Sequence, residues 1–356
     1  HRLIRRQRQM CIRDSSNIVW GTGLPYDYNF FLKEKYHSMT FTCEYLDIFK
    51  NIRSSAEYMI LYEEENIVDL FIFEVEGNKC ICYNDLICID QNQWKFFCDN
   101  IFLKYNKIKE IILSRLYNQI QMKNQIVVGL TNDSLFDLPQ CVDDYFLMMG
   151  TQTRRHIKNY RVRLNKNFPN NLFECRSGGD IEKDIVERII DLNSQRMIAK
   201  GNIPGIDEEY KNNICQYAKN YGCVAFISIN EQIIAGTICY ILYDDVYLHV
   251  IAHDNSYSKF NVGQICLFEL ISYCINNKKK TFHFLWGVSD YKKRFLGKPY
   301  TLTSYKIYRS KSFVYLKDYG LYCSKRLLTR IKSSHYLDFI KERIKEVRRK
   351  RSKLFQ

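Results

Sequence analysis

Cys223–His253 reads CVAFISINEQIIAGTICYILYDDVYLHVIAH. Two apolar runs, Cys223–Ile229 and Ile233–Leu242, flank the turn pair Asn230-Glu231, which is the pattern of a β-hairpin. A third run, Val246–His253, has strand character. It is followed by Gln264–Ile275 at helical spacing and by Thr281–Trp286 as a further strand. The same order occurs earlier: strands over Tyr58–Glu63, Val68–Glu76 and Cys80–Tyr83, a helix over Gln93–Tyr105, and a strand over Ile108–Ser114. Helical or irregular regions, Phe41–Asn51 and Asp180–Asn220, precede the two series. A repeated order of strand, strand, strand, helix, strand points to duplication. A crossover helix followed by a strand favours a local parallel pair beside an antiparallel hairpin. The expected fold is therefore α/β (α+β), built of two tandem lobes, each a mixed, mainly antiparallel sheet flanked by helices.

At 356 residues the chain is natural for two domains, and 46% hydrophobic with 15% aromatic residues supplies ample core. Five Pro and 15 Gly leave no long flexible linker, so the lobes should pack together. The net charge of +14 sits mostly at the ends: +4 in residues 1–14 and +6 in 341–356, leaving +4 for the body. Strong nucleic-acid binding by the body does not follow from that distribution. The 14 Cys are scattered without any CxxC pair, so zinc and a disulfide scaffold are not expected. Most should be reduced core residues of a cytoplasmic protein. The longest apolar run, Phe226 to Leu242, is interrupted by Asn230, Glu231 and Gln232, short of the ~20 residues a membrane span needs. Residues 1–15, HRLIRRQRQMCIRDS, lack the apolar core of a signal peptide and are set aside as non-native or disordered. The domain reading is a first lobe over 36–140, a second over 145–310 and a basic helical tail over 312–356. Within that tail Tyr336–Lys353 carries an apolar stripe and a Lys/Arg-rich face, which suits either a membrane-surface helix or a solvated one.

The second lobe resembles a known family. Residues 254–267, DNSYSKFNVGQICL, resemble the loop-to-helix signature of CelD-type GNAT acetyltransferases, where an acidic residue, two spaced aromatics and a Gly open the central helix. Residues 282–295, FHFLWGVSDYKKRF, resemble the same family's strand, Gly and Tyr-Lys ending, and the basic stretch Arg154–Arg163 sits where these proteins place a Lys/Arg-rich helix. The pair Tyr291-Lys292 is also similar to the aromatic-Lys of Fem-type peptidyltransferases, tandem GNAT-like proteins that move amino acids from tRNA onto peptidoglycan precursors. The resemblance covers residues 145–310 by sequence and 36–140 by architecture. One departure stands out: a GNAT phosphate loop carries two Gly around its turn, and here only Gly263 is present, beside Val262.

The resemblance implies an acyltransferase using acyl-CoA, acetyl-CoA first, as co-substrate without a metal. The acceptor is an amine or hydroxyl of a cell-envelope sugar or its precursor. One alternative is an aminoacyl-tRNA-dependent Fem-type transferase, with tRNA as partner. Another is a non-catalytic ligand-binding protein of a polysaccharide assembly system. The location implied is cytoplasmic, with peripheral contact to an anionic inner-membrane surface as an option. Lys259, Asn261, Val262, Gly263 and Gln264 are the donor-binding candidates, because a helix N-terminus offers free N–H groups and a positive dipole end. The alternative is that Asn261 or Asn255 simply caps the helix. Lys292 is the candidate oxyanion donor, with a solvated basic turn as the alternative. His249 is a candidate base, placed with His253 on one strand face by period-two counting, and Asp254 is either a base or a loop cap. Arg154, Arg155, Arg161 and Tyr291 are acceptor-binding candidates.

Overall fold

The structure is a computed structural model that describes residues 16–333; the expected helix over 336–353 lies outside the described residues. The first half runs β1 (Ser16–Thr22), α1 (Asn29–Tyr36), α2 (Cys43–Lys50), β2 (Glu57–Glu63), β3 (Asn66–Glu76) and β4 (Lys79–Cys82). It continues through α3 (Gln91–Lys104), β5 (Glu110–Leu116) and β6 (Gln125–Asp137). Two helices, α4 (Val142–Met148) and α5 (Thr151–Asn167), lead into the second half. There β7 (Asn171–Ser177), α6 (Lys183–Ala199), α7 (Glu208–Tyr221), β8 (Gly222–Ile229), β9 (Gln232–Leu242) and β10 (Asp245–His253) follow. The chain then forms α8 (Val262–Asn276), β11 (Thr281–His283), α9 (Asp290–Arg294), β12 (Lys298–Tyr308) and α10 (Phe313–Ser333).

Local chemistry explains most boundaries. Asn230 and Glu231 both take left-handed backbone angles, φ 48° and 65°, which closes the hairpin β8–β9. Thr42, Asp90 and Asp207 cap α2, α3 and α7 with their side-chain oxygens. All eight residues of β8 are buried, so this strand reads as a continuous apolar run rather than an alternation.

The expected mixed α/β architecture with two similar halves is what the chain has. The two series β1 to β5 and β7 to β11 share one order, and in each the helix-linked pair, β4 with β5 and β10 with β11, is parallel while the hairpin pairs are antiparallel. The halves do not keep separate sheets, however. One 12-stranded sheet runs in the order β1-β2-β3-β4-β5-β12-β6-β11-β10-β9-β8-β7. Each half ends in a long strand that it places beside the other half's fifth strand. Thus β12 pairs with β5, β6 pairs with β11, and the two exchanged strands pair antiparallel with each other from Lys298–Leu135 to Ile307–Gln125.

Four strands escaped the sequence reading, among them the long exchanged strand β12 (KPYTLTSYKIY). β1 adjoins the residues set aside, β7 (NLFECRS) mixes polar and apolar residues, and β6 (QIVVGLTNDSLFD) is broken up by Gly129, Asn132 and Asp133. β11 is shorter than expected. Beyond His283, Phe284 still donates its N–H to Ser134 of β6, and the strand ends where Leu285 turns left-handed, φ 53°.

The first half has its own core, in which Phe71, Phe73, Trp94 and Phe97 pack together. In the second half α6 and α7 cover one face through Ile189, Tyr217, Ile238 and Tyr240, and α8 covers the other through Val246, Leu248, Leu267 and Ile271. Met39 of the first half is buried in the second half's core, and its carbonyl accepts from Tyr217 Oη at 3.0 Å.

Candidate functional site

β10 and β11 pair over only three residues each, Asp245–Tyr247 against Thr281–His283, and then separate. Two features force them apart. β10 carries a register break between Leu248 and Val250, with His249 at the irregularity, and β11 is diverted at Phe284. The gap is a cavity of about 240 Å³, lined by Leu248, His249 and Ile251 on one side and Phe284, Leu285, Trp286, Ser289, Tyr291 and Lys292 on the other.

Lys292 lies in this wall but is not a free cation. It is only 5% exposed, and its Nζ donates to the carbonyls of Leu285, Trp286 and Gly287 at 2.7, 2.6 and 3.0 Å. An ammonium has three donors, and all three are used. In this arrangement Lys292 positions the Leu285–Gly287 segment that walls the gap, with its three donors taken by carbonyls rather than turned to the gap. Burial pulls its pKa down, and the nearby Asp133 carboxylate opposes that pull. Tyr291 is half-buried in the same wall, its ring edge-on to Phe284, and burial raises its phenol pKa.

His249 opens onto the gap. Its Nε2 lies 3.3 Å from Tyr210 Oη, and Tyr240 flanks the ring. Burial pushes its pKa down to about 4, so near neutrality the imidazole is uncharged and a weaker base than a free one. The register break also invalidates period-two counting across His249. His253 instead packs against α8, and burial, then Arg196 and Lys200, lower its pKa.

The His249 shift has a stability consequence. A free imidazole titrates near pH 6.5, this one near 4. Between those values the unfolded chain binds more protons, so this residue's contribution is present above about pH 6.5 and is lost as the pH falls toward 4. We expect the difference in Tm between the parent and His249→Gln to move against the parent on acidification from pH 7 to 4.5. Parallel Tm curves for the two proteins would contradict the burial of the imidazole.

Asp254 does not face the gap. Its carboxylate accepts from Ser256 N at 2.8 Å and caps the 3-10 turn Asn255–Phe260, the capping arrangement. At the start of α8, Asn261 takes the left-handed conformation, φ 53°, which the short amide side chain tolerates where Val262 would not. Asn261 does not cap the helix with its side chain; its Oδ1 meets Gln264 Nε2 at 3.3 Å. The first N–H groups of α8, Val262 and Gly263, have no acceptor within the helix. A Cβ on Gly263 would lie 3.0 Å from His253 Nδ1, so the Gly is required by close approach of the imidazole. Lys259 is exposed, with its Nζ 5.0 Å from the centre of the Phe260 ring, and its carbonyl accepts from Arg163 at 3.0 Å.

The basic helix α5 is mostly engaged in its own packing. Arg154 donates to the Leu147 carbonyl and to Thr151 Oγ1, and Arg161 pairs with Glu269 at 2.6 Å. These two are therefore not free for an acceptor, whereas Arg155 is exposed.

Two cations near the gap went unnoticed in the sequence. Arg196 on α6 is half-buried, interacts electrostatically with Tyr291 and His253, and its Nε has no hydrogen-bond partner among the described residues. Arg115 comes from the first half: its Nε donates to Asp85 at 2.8 Å, and its guanidinium lies 4.5 Å from the centre of the Trp286 ring. No motif signals either one, since each reaches the gap only through folding.

Residues 152–293 match the acetyltransferase (GNAT) domain family. Among solved structures the chain is similar to FemX, with a TM-score of 0.61 at 9% identity over 82% of this chain and 97% of that one. It is also similar to L-PGS from Bacillus licheniformis, with a TM-score of 0.51 at 11% identity over 87% and 97% of the two chains. A protein of unknown function from Bacteroides thetaiotaomicron VPI-5482 gives a TM-score of 0.51 at 12% identity over 82% and 99%. At these identities the likeness is one of fold. No curated protein matches the chain in sequence.

Proposed function

We propose that this protein transfers an acyl group, acetyl in the first instance, from acyl-CoA to an amine or hydroxyl of a cell-envelope sugar or its precursor, as CelD-like proteins do. The observation that carries the reading is the opening of β10 from β11 after three paired residues, within the segment that matches the GNAT acetyltransferase domain. The donor's thioester would lie in that gap. Its phosphates would face the first N–H groups of α8 at Val262 and Gly263, with Lys259 at the rim. A helix N-terminus favours an anion by roughly 0.3–2 kcal/mol, so it assists binding rather than securing it. Arg196 lies close enough to Tyr291 and His253 to add positive charge at the mouth. In the reaction the acceptor's nitrogen or oxygen bonds to the acyl carbon, the C–S bond breaks, and the acceptor's proton ends on the CoA thiol.

The donor site predicts the behaviour of Gly263→Val. Any side chain there begins 3.0 Å from His253 Nδ1 and covers the free N–H groups. We expect calorimetry to show acetyl-CoA binding to the parent, and binding at least about tenfold weaker to a folded Gly263→Val, a difference near 1.4 kcal/mol. Equal affinity in a folded variant would place the donor elsewhere.

A second reading is an aminoacyl-tRNA-dependent Fem-type transferase. It is favoured by the similarity to FemX, which extends over 97% of that chain and so spans both halves. The same calorimeter distinguishes the two, with charged tRNA in place of acetyl-CoA. As for location, no helix among the described residues is long and apolar enough to cross a membrane. Contact of the basic tail with an anionic membrane surface remains part of the proposal.

A further inference from the structure

A second cavity, of about 390 Å³, lies between the two halves on the α6 and α7 side of the sheet. Tyr117 and the Leu86–Cys88 segment come from the first half, Asp245, Tyr247 and His283 from the second, and Leu135 and Tyr300 from the two exchanged strands. Its volume is within the range of roughly 300–1,000 Å³ typical of small-molecule sites.

A buried polar cluster forms its floor. Asp133 is 0% exposed, and its Oδ1 takes the Ser134 N–H at 2.6 Å. Its Oδ2 lies 3.3 Å from Tyr117 Oη and 3.6 Å from His283 Nδ1, and Tyr117 Oη is 3.4 Å from the same nitrogen. Carboxylate, phenol and imidazole therefore meet at one point, with long contacts and spare hydrogen-bonding capacity. The imidazole cannot turn away, because the Tyr247 ring stacks on it at 4.4 Å and 16°. Opposite, Tyr117 and Tyr300 meet edge to face at 6.0 Å.

The chemistry selects the ligand. Aromatic side chains on both sides, Tyr247 with His283 and Tyr117 with Tyr300, suit a ring with apolar faces. Phenol, imidazole and the Asp245 carboxylate around its edge suit hydroxyl groups. Asp133 beneath the floor and Asp245 at the rim disfavour an anion, and Lys35, the lysine in the lining, is engaged by Asp69 at 3.5 Å. Asp133 is buried and interacts electrostatically with the Lys292 ammonium, and Asp245 is engaged by His37 Nδ1 at 3.2 Å, so neither carboxylate stands open to a cationic ligand.

We infer that this inter-half cavity is a binding site for a neutral hydroxyl-bearing ring of monosaccharide size, with Tyr117 and His283 held by Asp133 to grip its hydroxyls. The site is complete only when both halves are packed, because each supplies one wall. Asp133 is a positioning residue shared between the two cavities: it lies beneath His283 and acts electrostatically on Lys292 of the β10–β11 gap. Calling the sugar the acyl acceptor rests on the donor-site reading above; the binding itself does not.

The test is saturation-transfer NMR on the full chain, with acetyl-CoA absent so that donor and sugar binding are read separately. N-acetylglucosamine and glucose are the sugar probes, and adenosine monophosphate and inorganic phosphate are the contrasts. We expect transfer to the ring protons of at least one sugar. Binding should weaken about tenfold in Tyr300→Ala, which removes one aromatic wall, and in Asp133→Asn, which keeps the shape but loosens Tyr117 and His283. Tyr300 is 47% exposed, so its variant remains decisive if Asp133→Asn fails to fold. No transfer to either sugar, equal transfer in Tyr300→Ala, or binding of adenosine monophosphate alone would overturn the assignment.

Discussion

Residues 145–310 expressed alone are expected to give no cooperatively folded domain, although they contain the whole GNAT-like second half. The reason is the strand exchange. In the full chain β12 lies between β5 and β6, and the outer neighbour of β11 is β6. Cutting at 145 removes both neighbours of β12 and one of β11. Leu302, Tyr305, Ile307 and Tyr308, each 2% exposed or less, would then lose the surface that covers them. At roughly 1.5–3 kcal/mol for each large apolar side chain, the loss is comparable with the 5–15 kcal/mol that holds a typical domain together. The fragment should be insoluble, or lack a cooperative melt by circular dichroism, and co-expression with residues 16–144 should restore it. A monomeric 145–310 fragment with a sharp melting transition would show that the exchange is dispensable.

Lys292→Met should destabilise the fold, the reverse of what an oxyanion donor would do. The substitution keeps the side chain's length but deletes three donors to the Leu285, Trp286 and Gly287 carbonyls at a position only 5% exposed. A buried carbonyl left without a partner costs about 1–3 kcal/mol, which applies to Leu285, whereas Trp286 and Gly287 are exposed residues whose carbonyls can turn to water, so the expected loss is about 1–3 kcal/mol in all. We expect a clear fall in Tm, with acetyl-CoA binding reduced because the Leu285–Gly287 wall is released. Lys293→Met, on the exposed neighbour, should melt like the parent. A Lys292→Met protein that melts normally yet has lost turnover would restore the oxyanion assignment.

The physics behind that reversal separates what can be read locally from what cannot. In the sequence Lys292 stands in a run of basic residues after a Gly, and nothing in a linear reading reveals that the chain doubles back. Three carbonyls face the ammonium only because Leu285 takes a left-handed angle and Gly287 another, φ 53° and 83°. Asp254 shows the same limit on a smaller scale. An acidic residue at the end of a strand suits either a base or a turn cap, and the Ser256 N–H decides for the cap. The loss of Arg154 and Arg161 as free cations has the same origin: their partners, the Leu147 carbonyl and Glu269, come from other elements.

Local sequence patterns were enough for the strand, strand, strand, helix, strand series of each half, the hairpin at Asn230-Glu231, and the placing of Gly263 at the opening of the central helix. All of these depend on short-range periodicity and turn chemistry, which act over a few residues. The tertiary structure decided the rest. It exchanged β6 and β12 between halves, opened β10 from β11, brought Arg196 and Arg115 to the gap, and gathered Asp133, Tyr117 and His283 beneath one cavity. Tyr117 and His283 are 166 residues apart in the chain, and only the pairing of β6 with β11 and β12 brings them within 3.4 Å. Strand partners are selected by backbone hydrogen bonds and by burial of whole faces. Those energies depend on which strands meet, and no local pattern of residues encodes that choice.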